Sequence, residues 1–98
     1  MTTYSIKEEN KKIFVEVKGH TNYSDKGYDI LCASISTMTI FTINSLDNLG
    51  YNIEDLKNED GFISFNVLSD TTSKGIIKTL KELLDDLSKK NPEFINEK

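Results

Sequence analysis

Apolar and polar residues alternate through the first eighteen positions: Tyr4 and Ile6 form a first run, and Ile13, Val15 and Val17 a second, set against Phe14, Glu16 and Lys18. A period of two is the spacing of side chains on one face of a strand, so the two runs, with the polar EENKK between them, predict a β-hairpin. Gly19 closes the second strand. From His20 to Gly27 no period survives, and Thr, Asn, Ser, Asp, Lys and Gly favour turns over packing, so a mobile loop is expected.

The period changes at Asp29. Leu31, Ile35, Met38, Thr42, Leu46 and Leu49 recur at helical spacing for about five turns and stop at Gly50, a residue suited to ending a helix. The β-branched TMTIFTI within this segment also reads as an alternating strand, but the length of the helical pattern favours a helix. Ile30, Ile40, Phe41 and Ile43 extend the apolar surface around most of its circumference, and such a helix is usually covered on more than one side.

Beyond Gly50, Tyr51 to Leu56 predicts a short strand and NEDG a turn. FISFNVL predicts a fourth strand, with Ile63, Phe65 and Val67 on one face. SDTTSK offers N-caps to a second helix, in which Ile76, Ile77, Leu80, Leu83, Leu84 and Leu87 share a face until Asn91 and Pro92 end it. The apolar positions of both helices are expected in the core, and the closing KKNPEFINEK reads as a solvated tail. The order ββαββα predicts an α+β fold: a four-stranded, mostly antiparallel sheet with two helices packed on one face, forming a single domain over residues 1–98. No linker, low-complexity tract or short repeat interrupts it.

Composition narrows the possible functions. Sixteen acidic against twelve basic residues give a net charge of −4, so no positive field draws in a phosphate backbone and no direct nucleic-acid partner is expected. The uncharged stretch 30–46 carries Ser34, Ser36, Thr37, Thr39, Thr42, Asn44 and Ser45; it reads as too polar and too short for a bilayer, so no membrane partner is expected. One cysteine makes no internal disulfide, and no signal-peptide pattern follows Met1, which points to the cytoplasm.

The candidate chemistry lies in GHTNYSDKGYDILCAS, which holds the sole histidine and the sole cysteine of the chain. If Asp29 or a neighbour caps the long helix, Cys32 falls in its first turn, where unpaired N–H groups and the helix dipole favour a thiolate. His20, at a strand end twelve positions earlier, can fold back to serve that sulfur as a base. Free N–H groups around Cys32, Ala33 and Ser34 could hold the oxyanion of a tetrahedral intermediate. Plainer readings stand beside these. A lone cysteine in an apolar helix is commonly a small buried hydrophobe, a lone histidine after glycine a turn residue, and Asp29 an N-cap whose charge opposes thiolate formation. Ser36 is an ordinary helix serine bonded to its own backbone in this view. One histidine and one cysteine make a poor start to a zinc site, and no metal or other cofactor is expected.

Taken together, G-H-T followed by G-Y-D-I-L-C-A-S-I-S resembles the signature of the ribosomal-processing cysteine proteases, the Prp family of small bacterial enzymes. Gly19 and His20 match its Gly-His, and Gly27, Asp29, Ile30, Cys32 and Ala33 match its second block. Ser36 matches the serine four positions after the cysteine. The N-terminal hairpin, the N-S-L of Asn44 to Leu46, the E-D-G-F-I-S-F turn and the C-terminal leucine-patterned helix are also similar. Thr21 and Ser34 depart from the family's usual small residues. The resemblance implies a cysteine endopeptidase that removes the N-terminal extension of large-subunit ribosomal protein twenty-seven. It implies Cys32 as nucleophile and His20 as general base, with Asp29 and Ser36 in support, and a homodimer. The segment Thr21, Asn22, Tyr23, Ser24, Asp25, Lys26 and Gly27 is the expected substrate-closing loop. Two other classes keep the same fold: a non-catalytic ribosome-assembly adaptor indifferent to Cys32, and a thiol enzyme or redox sensor that cuts no peptide.

Overall fold

The computed structural model describes residues 1–19 and 26–98, with the backbone alone for 26–29. Asn10 and Lys11 both take positive φ, 53° and 64°, the backbone of a two-residue hairpin turn whose twist suits the strands on either side. They join β1 (Thr2–Glu9) to β2 (Lys12–Lys18), after which come α1 (Lys26–Asn48), β3 (Glu54–Glu59), β4 (Phe62–Leu68), α2 (Thr71–Lys90) and β5 (Ile95–Glu97). The α+β class and the ββαββα order hold, with one strand added at the end.

The strands form one sheet in the order β3-β4-β2-β1-β5. Three pairings are antiparallel, and they align Val15 with Phe65, Val17 with Ile63 and Tyr4 with Val17. Alternation therefore puts these side chains on one face, where they meet Leu31, Ile35, Ile43 and Leu46 of α1 and Ile77, Leu80 and Leu84 of α2. Both helices cover that face, as the sequence predicted.

The fifth strand corrects the reading of the last ten residues as a solvated tail. β5 runs parallel to β1, with Thr2 opposite Ile95, and Ile95 is fully buried. Two apolar side chains in a polar segment show no period, yet one of them completes the sheet edge. Ser88 Oγ donates to the Ile95 carbonyl at 2.9 Å, and the Lys98 N–H donates to the Tyr4 carbonyl at 2.8 Å.

Helix ends follow local chemistry. Gly50, at φ 94°, donates its N–H to the Asp47 carbonyl, and Tyr51 donates to that of Leu46, both at 3.0 Å, which satisfies the last carbonyls of α1. Tyr51 is thereby spent on the cap, so β3 begins at Glu54 rather than at Tyr51. At α2, Asp70 accepts from the Ser73 N–H while Ser73 Oγ accepts from the Asp70 N–H, each at 2.9 Å, a reciprocal cap. The bond from the Ser73 N–H, followed by one from the Tyr51 hydroxyl, holds the Asp70 carboxyl below its ordinary pKa. Inside the domain, the buried Tyr4 hydroxyl donates to Asp85, and burial followed by that carboxylate raises the phenol above its ordinary value.

Not every apolar helix position is core. Ile30 and Phe41 on α1 are 68% and 72% exposed, and Leu49 and, on α2, Leu83 are also open to solvent. By length and composition Ile30–Asn48 does qualify as a candidate span, with a mean hydropathy of 1.3, contrary to the reading of it as too short and too polar. Its packing on the sheet through Leu31, Ile35, Ile43 and Leu46 accounts for that composition.

Candidate active site

α1 begins four residues earlier than an Asp29 cap would place it. Lys26 and Gly27 are its first two residues rather than part of a loop, and Cys32 is the seventh. Only the first four N–H groups of a helix lack intrahelical partners, and the dipole's effect fades within the first turn. The N–H groups of Cys32, Ala33 and Ser34 therefore belong to the helical ladder. This corrects both the first-turn position of Cys32 and the use of those amides as oxyanion donors. Asp29 lies inside the helix rather than at its cap, and its side chain falls outside the described residues. His20, Thr21, Asn22, Tyr23, Ser24 and Asp25 also lie outside them.

What the helix does fix is the direction of Cys32. Leu31, Cys32 and Ile35 form the stripe of α1 that meets the sheet, and Cys32 is 9% exposed. Its residual exposure opens on a cleft of about 300 Å³. The inner wall is apolar, built from Val17, Ile35, Ile40 and Ile63, while Ser36 lines the cleft one helical turn beyond the cysteine. Ser34 differs, since its hydroxyl donates back to the Ile30 carbonyl at 3.0 Å and stays on the exposed side.

The opposite wall comes from the β3–β4 turn, Asn58 to Phe62. Antiparallel pairing of β2 with β4 sets Lys18 opposite Phe62, which brings this turn to the end of β2. There the Gly19 N–H donates to the Gly61 carbonyl at 2.9 Å. Gly61 has φ 75°, and a Cβ on it would run into the Gly19 carbonyl oxygen, so two glycines let the chain segments touch. Gly19 also lines the cleft. The residue bonded to His20 and the residue bearing the thiol thus line one cavity.

Sequence reasoning missed Thr2 and the turn residues as site components. Thr2 Oγ1 lies 3.9 Å from Cys32 Sγ. Both contributions depend on strand order, which no local pattern encodes, although the turn itself belonged to the resemblance. The cleft rim carries the carboxylates of Glu59 and Asp60. Among the described residues, no group of three or more His, Cys, Asp or Glu side chains could hold a metal ion.

A cleft lined by a buried thiol and by Gly19, the residue that precedes the chain's histidine in sequence, suits acyl transfer through sulfur. A family model described as "Cysteine protease Prp" matches residues 1–96. Among solved structures, SMU.848 from Streptococcus mutans superposes with a TM-score of 0.78 at 22% identity, covering 100% of this chain and 92% of that one. An essential ribosomal processing protease Prp from S. aureus, in complex with a substrate peptide, gives 0.78 at 23% identity over 100% and 98% of the two chains. The same enzyme with a covalently linked product peptide gives 0.74 at 24% identity over 99% and 97%. At these identities the likeness to the solved structures carries the fold. No curated protein sequence matches the chain.

Proposed function

The chain belongs to the cysteine protease Prp family, and from that premise we propose that it is a cytoplasmic endopeptidase that removes the N-terminal extension of large-subunit ribosomal protein twenty-seven. The observation that carries the reading is the shared cleft: Cys32 and Gly19, the sequence neighbour of His20, line the same cavity. In this mechanism His20 takes the proton of the Cys32 thiol and Sγ attacks the scissile carbonyl, forming a carbon–sulfur bond and placing the electron pair on oxygen. Collapse breaks the carbon–nitrogen bond, and His20 gives its proton to the departing amine. Water then attacks the thioester with His20 as base, which frees the acid and restores the thiol. Ser36, one helical turn beyond Cys32 and lining the cleft, is assigned to donate its hydroxyl to the oxyanion, the role the helix amides cannot fill. Asp29 is assigned a supporting role next to the pair, and residues 21–25 the covering of bound peptide.

A peptide spanning that extension, incubated with the protein and read by mass spectrometry, tests the assignment. We expect cutting at one bond, abolished when the protein is first alkylated with iodoacetamide. An intact peptide beside a folded, alkylatable protein would remove the substrate assignment, and cutting that survives complete alkylation would remove the thiol mechanism.

We further infer that the enzyme is a homodimer. A cleft of about 560 Å³ between α1 and α2 is lined by Met38, Phe41, Ile76, Leu80 and Leu83, and Phe41 stands 72% exposed beside it. An aromatic of that exposure on an apolar groove suits a partner face. Light scattering at micromolar concentration is expected to give twice the chain mass, and Phe41→Glu the monomer; a monomeric wild type would end the inference.

A further inference from the structure

Thr2 has no part in the chemistry above, yet it touches both halves of the site. Its side chain is buried, at 3% exposure, with Oγ1 3.9 Å from Cys32 Sγ, and it lines the same cleft. An apolar residue would fill that space equally well, whereas a buried hydroxyl is costly unless it is used in a hydrogen bond.

The backbone around Thr2 is fixed on the far side from the cysteine. Its N–H donates to the Phe94 carbonyl at 2.7 Å, and it stands opposite Ile95 in the parallel β1–β5 pairing. A β-branched side chain on a fixed backbone has few rotamers, so Oγ1 has a defined place. On the near side Gly19 packs so closely that a Cβ there would collide with Oγ1 and stand 3.0 Å from Thr2 Cα. The strand end that leads into His20 is therefore seated on Thr2, while the sulfur of Cys32 rests on its hydroxyl.

We propose that Thr2 is a positioning residue for the proteolytic reaction: its hydroxyl selects the rotamer of Cys32 and donates a hydrogen bond to the sulfur, holding it toward the cleft. A cysteine on a helix chooses among staggered rotamers, and a hydroxyl on one side favours the one that reaches it. A hydrogen bond donated to sulfur gains strength when the sulfur is charged, so the contact favours the attacking form. Its length suits a resting enzyme, because catalytic hydrogen bonds are often long before substrate binds. The inference rests on Cys32 being the nucleophile of the proposed protease.

Thr2→Val keeps the shape of the residue and removes the hydroxyl, and Thr2→Ser keeps the hydroxyl and removes the methyl. Two readouts are needed: kcat and KM on the extension peptide, and the pH profile of Cys32 alkylation by iodoacetamide. We expect Thr2→Val to lower kcat about tenfold with KM nearly unchanged, and to displace the alkylation profile toward higher pH. Thr2→Ser should restore both. Thr2→Ala, which demands no space, repeats the test should the valine variant melt early by circular dichroism. Wild-type values of kcat and of the alkylation profile in a hydroxyl-less variant would overturn the proposal. So would a serine variant as impaired as the valine one, since the methyl group's packing would then explain the effect. Alkylation needs no peptide, so a wild type that leaves the peptide intact counts against the substrate while the profile still decides the role of Thr2.

Discussion

Cys32→Ala is expected to abolish peptide cleavage, a fall of at least about 10³-fold in kcat/KM, because removal of a nucleophile leaves only binding and oxyanion stabilisation behind. The fold should survive. Cys32 is packed between helix and sheet at 9% exposure, and loss of one buried sulfur costs about 1 kcal/mol, a small fraction of the stability of a domain this size. Mass spectrometry of the peptide and a thermal melt of the same preparation read the two effects separately. A variant that cuts at more than about a tenth of the wild-type rate would strip Cys32 of its role. One that fails to cut because it has unfolded would show a lost melting transition, and Cys32→Ser, closer in size, would then decide.

The second large effect is structural and lies far from the cysteine in sequence. Ile95→Ala is expected to destabilise the protein by about 3 kcal/mol, the usual cost of emptying a fully buried isoleucine site. Ile95 is 0% exposed and lies opposite Thr2 in the sheet, so the loss includes a loosened β1 edge. Urea unfolding followed by circular dichroism measures it directly, as a lowered midpoint at constant slope. A change under about 1 kcal/mol would mean that β5 is only laid against the sheet rather than built into it. Because the Phe94 carbonyl holds the Thr2 N–H, a destabilising result should come with slower alkylation of Cys32.

The first hairpin, β4 and α2 were legible because each carries several repeats of its period: Ile13, Val15 and Val17 alternate, as do Ile63, Phe65 and Val67, and Ile76, Ile77, Leu80, Leu84 and Leu87 share one face. β3 has no such period and lies at Glu54–Glu59 rather than at 51–56. The start of α1 was not legible. Lys26, Gly27 and Asp29 carry no apolar side chain, so no stripe marks them, and a candidate cap at Asp29 suggested a later start. β5 escaped because a three-residue strand is shorter than any detectable period and its parallel partner is at the other end of the chain. The same nonlocality hid the composition of the cleft. The His20–Cys32 motif is local and was readable, whereas Thr2 and the Asn58–Phe62 turn reach the cysteine only through the order β3-β4-β2-β1-β5.

The pairing of Thr2 with Ile95 has a consequence for the chain while it is being made. Synthesis runs from one end to the other, and domains fold as units as their parts emerge. β1 and β2 can pair early, but the edge that anchors Thr2 waits for Ile95, 93 positions further along the chain. The cleft wall beside Cys32 is therefore among the final parts to set. The seat of Thr2 thus depends on a parallel pairing of very high sequence separation, the kind of contact whose loop-closure cost makes it form late and slowly.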